Sequence, residues 1–160
     1  MEYAARGGIS GKIYCWGDEK ISASHANTWQ GEFPSNNTLE DGFSSTSPVR
    51  TFPPNGYGLY DMAGNVWEWC QDLYRPTTYL QRVIKEDKHA VSKNPKGPES
   101  SADGRNPHAR ELHVLRGGSF LCHASYCTSY RPSARMSCSP DTGMPHTGFR
   151  CVMDADLGVE

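Results

Sequence analysis

The stretch NGYGLYDMAGNVWEW, which occupies residues 55–69, is the most informative part of the sequence. Its first four residues and the two prolines before them form a cluster of turn-forming residues. The run from Leu59 to Trp69 then predicts a short helix followed by a strand. Trp67 and Trp69 in this run are the kind of residue that more often fills a core than contacts a ligand.

Composition limits the classes of protein to consider. A length of 160 residues suits one domain and is short for two. The formal net charge is -2 and lysine and arginine are spread along the chain, so no basic stripe indicates a nucleic-acid partner. No run approaches the roughly 20 apolar residues of a membrane span, and the first residues show no leader pattern. We therefore expect neither nucleic acid nor membrane as a partner, and the sequence indicates no compartment.

Local signals predict an irregular, loop-rich fold with short strands. Gly, Pro, Asn and Ser are abundant, and neither helical nor strand periodicity persists for long. Glu2 to Arg6 reads as the end of a helix, because good helix formers run into Gly7-Gly8. The polar segment from Tyr79 to Glu111 predicts a long surface loop, which is a candidate lid.

The carboxyl-terminal third of the chain carries the clearest strand signals. His113 to Arg116 predicts a buried strand, and Gly117-Gly118 after it predicts a bend. Phe149 to Val152 predicts a closing core strand.

Two cysteines in this third, Cys122 and Cys127, have a chemically informative spacing. A separation of five residues puts side chains about 140° apart on a helix and on opposite faces of a strand, so only a bent segment lets the sulfurs meet. Two converging thiolates suit Cu(I), and without metal they could close a strained, reducible disulfide. The alternatives are a local structural disulfide or two unrelated buried thiols, and the spacing alone favours these.

Hard oxygen ligands are grouped in two places. Asp61, Asn65 and Glu68 could form a calcium site, although Asn65 followed three residues later by Glu68 is also a capping-box arrangement, which the pattern favours. Asn27 and Asp41 with their neighbours could form a second oxygen cage. Asn and Asp in loops usually bond to their own backbone, which is the stronger interpretation there.

The motif at residues 55–69 closely resembles the signature of the sulfatase-modifying factor superfamily. Residues 116–120, RGGSF, and 148–151, GFRC, match its other two hallmarks. The superfamily includes sulfoxide synthases of ergothioneine-type pathways and variable ligand-binding proteins of C-type lectin type. The run GGSFLCHASYC at residues 117–127, followed by YRPSAR, resembles the formylglycine-generating enzymes in residues and spacing.

The resemblance implies a single domain over residues 1–160 with an irregular α+β fold related to C-type lectins. It implies a copper-dependent oxidase that uses O2 to convert a cysteine in a C-x-P-x-R segment of an unfolded sulfatase-type polypeptide to formylglycine. Cu(I) would be the redox cofactor and Ca²⁺ would be structural. The alternative is a non-catalytic domain that binds a ligand or a protein on the same scaffold.

The resemblance also implies roles for individual residues. Cys122 and Cys127 would hold the copper, Ser119 and Trp67 would shape an oxygen pocket beside it, and Tyr126 and Arg135 would lie near the substrate cleft. The calcium ligands would be the side chains of four residues and the backbone oxygens of four others, namely Asn27, Asp41, Asp61 and Glu68, and Thr28, Phe43, Gly64 and Val66.

The chain departs from the family pattern in three respects. The family continues upstream of Glu2 to Gly8, so we expect the upstream half to be absent here. Ala5 stands where some members have a cysteine that bridges to the closing strand, which leaves Cys151 without its expected partner. The segment from Tyr79 to Glu111 is longer and more charged than expected. The resemblance gives no role or pairing to the remaining cysteines, Cys15, Cys70 and Cys138.

Overall fold

The computed structural model describes residues 1–85, 95–102 and 107–153. These ranges form an α+β fold with little regular structure, as predicted. The elements in chain order are α1 (Glu2–Arg6), β1 (Gly31–Glu32), β2 (Asn36–Asn37), β3 (Trp67–Leu73), α2 (Thr78–Lys85), β4 (His113–Arg116), β5 (Met136–Cys138) and β6 (Thr147–Gly148). Most of the described chain therefore consists of loops held by specific hydrogen bonds.

A four-stranded sheet organises the carboxyl-terminal part of the domain, with the order β5-β4-β3-β6. Strand β4 pairs antiparallel with β3 and β5, and its prediction from sequence is confirmed. Strand β6 pairs parallel with β3. The ladder between β3 and β4 aligns Trp69 with Leu115 and is irregular between Trp69 and Leu73. Strands β1 and β2 form a separate small hairpin.

Helix α1 ends where the sequence predicts, at a glycine in the left-handed conformation. Gly7 has φ 58°, and its N–H donates to the carbonyl of Ala4 at 3.3 Å. Asn55 completes the cap, because its Nδ2 donates to the carbonyls of Ala4 at 2.6 Å and Ala5 at 3.2 Å. A Cβ on Gly56 would lie 2.2 Å from the Gly7 oxygen. The turn that begins the 55–69 motif is thus docked on the end of α1.

The predicted short helix between Leu59 and Val66 is wrong, although the strand that follows it is confirmed. Asp61, Gly64 and Asn65 have φ values of 55°, 70° and 59°, which a right-handed helix does not allow. These conformations allow the backbone to bond outside the segment, so Gly64 N–H donates to Gly117 O and not to a residue of its own turn.

Asn65 connects three loops through both its backbone and its side chain. Its N–H donates to Asn27 O at 2.8 Å, and its carbonyl accepts from Phe120 N at 2.9 Å. Its side chain accepts from Ser47 N at 2.9 Å and donates to Ser47 O at 3.2 Å. The side chain is buried, so these bonds form the polar centre of the domain.

Two other expectations need correction. The predicted closing core strand at Phe149 to Val152 is wrong, because the strand ends at Gly148 and Phe149 is 75 % exposed. Strand β6 has only two residues, Thr147 and Gly148, which pair in parallel with Trp67 and Glu68 of β3. The surface loop predicted from Tyr79 to Glu111 begins inside helix α2, an amphipathic segment that the loop interpretation missed. Its parts at 86–94 and 103–106 lie outside the described residues.

The apolar core lies on one face of the sheet and includes a cysteine of the predicted site. The buried cluster consists of Ala26, Ala63, Trp67, Leu115, Cys122 and Tyr130. Among the described residues no helix is both long and apolar enough to cross a membrane.

Candidate functional site

A compact turn brings the two predicted cysteines together. After the bend at Gly117-Gly118, Cys122 N–H donates to Ser119 O at 2.9 Å, and Cys127 N–H donates to His123 O at 2.8 Å. The Cα atoms of Cys122 and Cys127 lie 5.0 Å apart and their sulfurs are joined as a disulfide. The two sulfurs therefore meet on one bent segment. The spacing predicted this convergence as one of its alternatives.

The two sulfurs have different surroundings. Cys122 is buried at 1 % exposure, whereas Cys127 is half-buried at the edge of the core. Ser119 N–H points to the Cys122 sulfur at 3.4 Å, and a backbone donor in that position favours a thiolate when the pair is reduced. A Cβ on Gly118 would lie 3.3 Å from the same sulfur and 2.9 Å from Tyr130 N, so glycine allows this close packing.

Trp67 and Ser119, the two residues predicted to shape an oxygen pocket, are both buried in the region of Cys122. Ser119 is 1 % exposed and its hydroxyl accepts from Leu121 N–H at 3.3 Å. Trp67 is 4 % exposed and belongs to the same buried cluster as Cys122. Both side chains are therefore shielded from bulk water, as Cys122 is.

A cavity of about 530 Å³ opens beside Cys122. Trp29 lines it and is fixed to the cysteine turn, because its N–H donates to Cys122 O at 3.1 Å. Among the described residues, the Trp29 indole N–H is buried and has no acceptor. Lys20 and Glu40 give the cavity one charge of each sign. Its volume lies within the ordinary range of ligand pockets, and its lining contains both polar and apolar residues.

The two residues predicted near the substrate cleft lie in different places. The Tyr126 ring stacks on Phe33 with centroids 4.1 Å apart, and its hydroxyl donates to Leu121 O. Burial raises the pKa of Tyr126, so the phenol stays protonated. Arg135 instead lies over the rings of Tyr74 and Tyr79, at 5.2 and 4.3 Å from their centroids. The structure thus brings Tyr126 to the cysteine turn and Arg135 to another surface.

That other surface is a cavity of about 430 Å³ beside helices α1 and α2. Arg135, Arg82, Lys96 and Arg116 line it, so it is mainly cationic. Arg116 is held by Pro132 O at 2.7 Å. This cavity does not include either cysteine of the turn.

Four of the predicted calcium ligands, Asn27, Thr28, Asp41 and Phe43, are called the first oxygen set and offer donors of the kind that a hard cation takes. The Asn27 Oδ1 atom is buried without a hydrogen-bond partner among the described residues. Gln30 Nε2 donates both to Thr28 O and to the Asp41 carboxylate, the latter at 2.8 Å, so these two oxygens lie close together around that nitrogen. Phe43 N–H donates to Asp41 Oδ1 at 2.9 Å and brings that residue's backbone close. Oxygen donors of this kind are those that Ca²⁺ prefers.

The other four predicted calcium ligands are Asp61, Gly64, Val66 and Glu68, and two of them, Asp61 and Glu68, contact a guanidinium group. Arg150 Nε donates to Glu68 Oε2 at 2.6 Å, and Arg150 Nη2 contacts the other carboxylate oxygen and donates to Asp61 O at 3.1 Å. The Glu68 carboxylate raises the pKa of Arg150. Because this arginine already supplies a positive charge, the donor set as arranged does not fit a further cation. In the described part of the chain, no three His, Cys, Asp or Glu side chains cluster as metal ligands.

The other four cysteines are outside the site and unpaired. Burial raises the pKa of Cys15 to about 11, and burial also raises that of Cys70. Cys138 is half-buried and Cys151 is exposed. None of them has the paired geometry of the cysteine turn.

The sequence interpretation overlooked Tyr130, the largest fully buried side chain of the site region. It lines the cavity together with Cys122. The available signal was its position three residues after Cys127, which puts it on the same bent segment. Sequence reasoning also did not indicate that Arg150 pairs with Glu68, as it does in the structure.

Comparison with known proteins now gives these features a family. A model of the sulfatase-modifying factor enzyme 1-like domain matches residues 1–155. The chain belongs to this family. It is 48 % identical over 158 residues to a formylglycine-generating enzyme of Streptomyces coelicolor, covering 98 % of this chain and 45 % of that protein. It is 44 % identical over 155 residues to the formylglycine-generating enzyme of Mus musculus, covering 96 % of this chain and 37 % of that protein.

A solved structure of the same fold is PvdO from Pseudomonas aeruginosa, with a TM-score of 0.59 and 29 % sequence identity. The match covers 92 % of this chain and 47 % of PvdO. The chain thus spans less than half the length of each of these three proteins. The family assignment extends the resemblance of three short motifs to nearly all of the sequence.

Proposed function

We propose that this chain carries the thiol pair of a formylglycine-generating enzyme, an oxidase that converts a substrate cysteine to an aldehyde. The observation that carries the proposal is the convergence of Cys122 and Cys127 on one bent turn, beside a cavity of about 530 Å³ that Cys122 lines. The names and identities of the curated relatives support the same activity. The substrate would be an unfolded sulfatase-type polypeptide that contains C-x-P-x-R.

The net reaction fits the surroundings of the cysteine turn. The side-chain carbon of the substrate cysteine loses two electrons, dioxygen accepts them, and sulfur leaves as sulfide when water supplies the aldehyde oxygen. A reactive thiolate centre needs protection from bulk water and from unproductive oxidation. Cys122 at 1 % exposure, with Trp67 in the same buried cluster, has that protection. Half-buried Cys127 lies where a third sulfur from the substrate could approach.

The chemistry of the donor pair fits a soft metal. Two thiolates are the ligands that Cu(I) selects, and the 5.0 Å separation of the Cα atoms lets both sulfurs face one point. Bound there, Cu(I) would supply a redox-active centre for a substrate thiolate and dioxygen. Ser119 N–H, 3.4 Å from the Cys122 sulfur, would stabilise the thiolate form that such binding needs.

Calcium would have a structural role at the first oxygen set. A cation there would satisfy the buried Asn27 Oδ1 and join it to Thr28 O, Asp41 and Phe43 O. Asn27 and Thr28 directly precede Trp29, whose backbone N–H donates to Cys122 O. The cation would therefore fix one wall of the cavity.

Copper binding tests the proposed role of the thiol pair. Treatment with reductant should open the disulfide and increase Cu(I) binding by the purified chain. Cys122→Ser and Cys127→Ser should each abolish tight binding, whereas Cys151→Ser, at an exposed unpaired cysteine, should not change it. Equal binding by the unaltered chain and all three variants would refute the copper site. Loss of binding in Cys151→Ser alone would place the metal elsewhere.

A further inference from the structure

A continuous row of aromatic rings leads from the cysteine turn to the outside of the core. The Tyr130 and Tyr14 ring centroids lie 5.9 Å apart, and Tyr14 stacks on Trp16 at 4.9 Å with an interplanar angle of 9°. Trp16 in turn stacks on His25 at 4.6 Å with an angle of 3°. Tyr130 and Cys122 belong to one buried cluster, while Trp16 and His25 are half-buried. The row therefore begins in the buried cluster that contains Cys122 and ends near solvent.

Tyrosine and tryptophan side chains readily lose one electron, whereas phenylalanine side chains do not. We propose that Tyr130, Tyr14 and Trp16 form a relay that removes stray oxidising equivalents from the Cys122 sulfur. The inference rests on the proposed oxygen-dependent chemistry at that sulfur. Without such a route, a Cys122 radical that reacts with oxygen before it meets the Cys127 thiolate proceeds to sulfinic and sulfonic acids, which are irreversible.

The proposed transfer is balanced at each step. A one-electron oxidant formed from dioxygen takes an electron from the Cys122 thiolate and leaves a thiyl radical. Tyr130 gives that sulfur one electron and its phenolic proton, and Tyr14 restores Tyr130 in the same way. Trp16 gives one electron to Tyr14, which regains its proton from solvent. A soluble thiolate then gives one electron to Trp16, and two resulting thiyl radicals couple as a disulfide.

The surroundings of Tyr130 suit this role. Tyr130 is 1 % exposed and lines the same cavity as Cys122, so its ring is shielded from bulk water. The other aromatic group beside the turn is built differently. Trp29 contacts Phe33 at 5.1 Å and Phe33 stacks on Tyr126 at 4.1 Å, so a phenylalanine interrupts that path.

Pulse radiolysis tests the connection between the rings without copper or substrate. Azide radicals generated by the pulse oxidise tryptophan, and coupled rings should convert part of the tryptophanyl signal to a tyrosyl signal within the molecule. This transfer is the reverse of the proposed step from Trp16 to Tyr14 and measures the same coupling between the two rings. Tyr14→Phe and Trp16→Phe should both remove this first-order phase. The control Tyr57→Phe, whose ring contacts Tyr3 and not the relay, should retain it. Persistence of the phase in both relay variants would overturn the proposal.

A second readout measures protection of the sulfur. After the reduced chain is exposed to a one-electron oxidant in air, mass spectrometry should find severalfold more sulfinic and sulfonic acid at Cys122 in Tyr14→Phe than in Tyr57→Phe. Equal oxidation in the two variants, with equal melting temperatures, would overturn the proposal. If the relay variants behave as expected but the chain forms no aldehyde, the relay stands and the proposed enzymatic function fails.

Discussion

Gly64 packs directly against the backbone carbonyl of Asn27, so closely that a Cβ on Gly64 would lie 2.3 Å from the Asn27 oxygen. This contact joins the 55–69 motif to the loop that carries the first oxygen set. Because Gly64 also has φ 70°, both space and backbone conformation require glycine.

Gly64→Ala should lower the free energy of unfolding by roughly 3 kcal/mol or more, since backbone atoms must move to relieve the overlap. Gly58→Ala is the matched control, because Gly58 has φ 72° and nothing within 4 Å of an added Cβ. It should cost only the roughly 1–2 kcal/mol of a left-handed alanine. Urea denaturation measures both, and equal losses would show that the Asn27 contact does not matter.

Asn65→Ala should destabilise the domain by about 2–4 kcal/mol, because it leaves the buried backbone groups of Ser47 without partners. Asn36→Ala, at an exposed asparagine of β2, should change stability by less than about 0.5 kcal/mol. Thermal unfolding followed by circular dichroism measures the difference. A small effect at Asn65 would contradict its place at the polar centre.

Calcium should raise the melting temperature by mass action, and chelator should lower it. At a calcium concentration 100 times Kd, the free energy of unfolding should rise by about 2.7 kcal/mol. Asp41→Asn should remove most of this response, since it removes a charged ligand of the proposed site. Glu32→Gln, an exposed carboxylate on the neighbouring hairpin, should keep it. A calcium response that is the same in Asp41→Asn would contradict binding at the first oxygen set.

Cys15 should resist alkylation near neutral pH and become reactive only as the pH approaches about 11, whereas exposed Cys151 should react first. Between pH 9.0, the ordinary pKa of the thiol, and about pH 11, Cys15 keeps its proton in the folded chain but loses it in the unfolded chain. The contribution of Cys15 to stability is therefore complete below 9.0 and is lost as the pH rises to about 11. Peptide mapping after timed labelling checks the order, and early labelling of Cys15 would contradict its burial.

The features that sequence predicted correctly are those set by a few neighbouring residues. The end of α1 follows from Gly7, and strand β4 follows from a short apolar run before a double glycine. Only a bent segment lets Cys122 and Cys127 meet, so their convergence was available as one alternative from spacing alone.

The features that sequence reasoning missed depend on partners distant in the chain. The run from Leu59 to Val66 is not a helix, because Gly64 and Asn65 bond to Gly117 and Asn27. Similarly, the pairing of Arg150 with Glu68 joins residues 82 positions apart, which no local pattern indicates. Arg135 lies on the other cavity because Tyr79 of α2 contacts it.

Conversion of a short peptide containing C-x-P-x-R tests the proposed function most directly. With copper, reductant and air, mass spectrometry should detect the loss of mass that accompanies change of a thiol to an aldehyde. The unaltered chain and Cys151→Ser should form the aldehyde, and Cys122→Ser and Cys127→Ser should form none while keeping nearly normal melting temperatures. Undiminished conversion in either Cys122→Ser or Cys127→Ser would contradict the account.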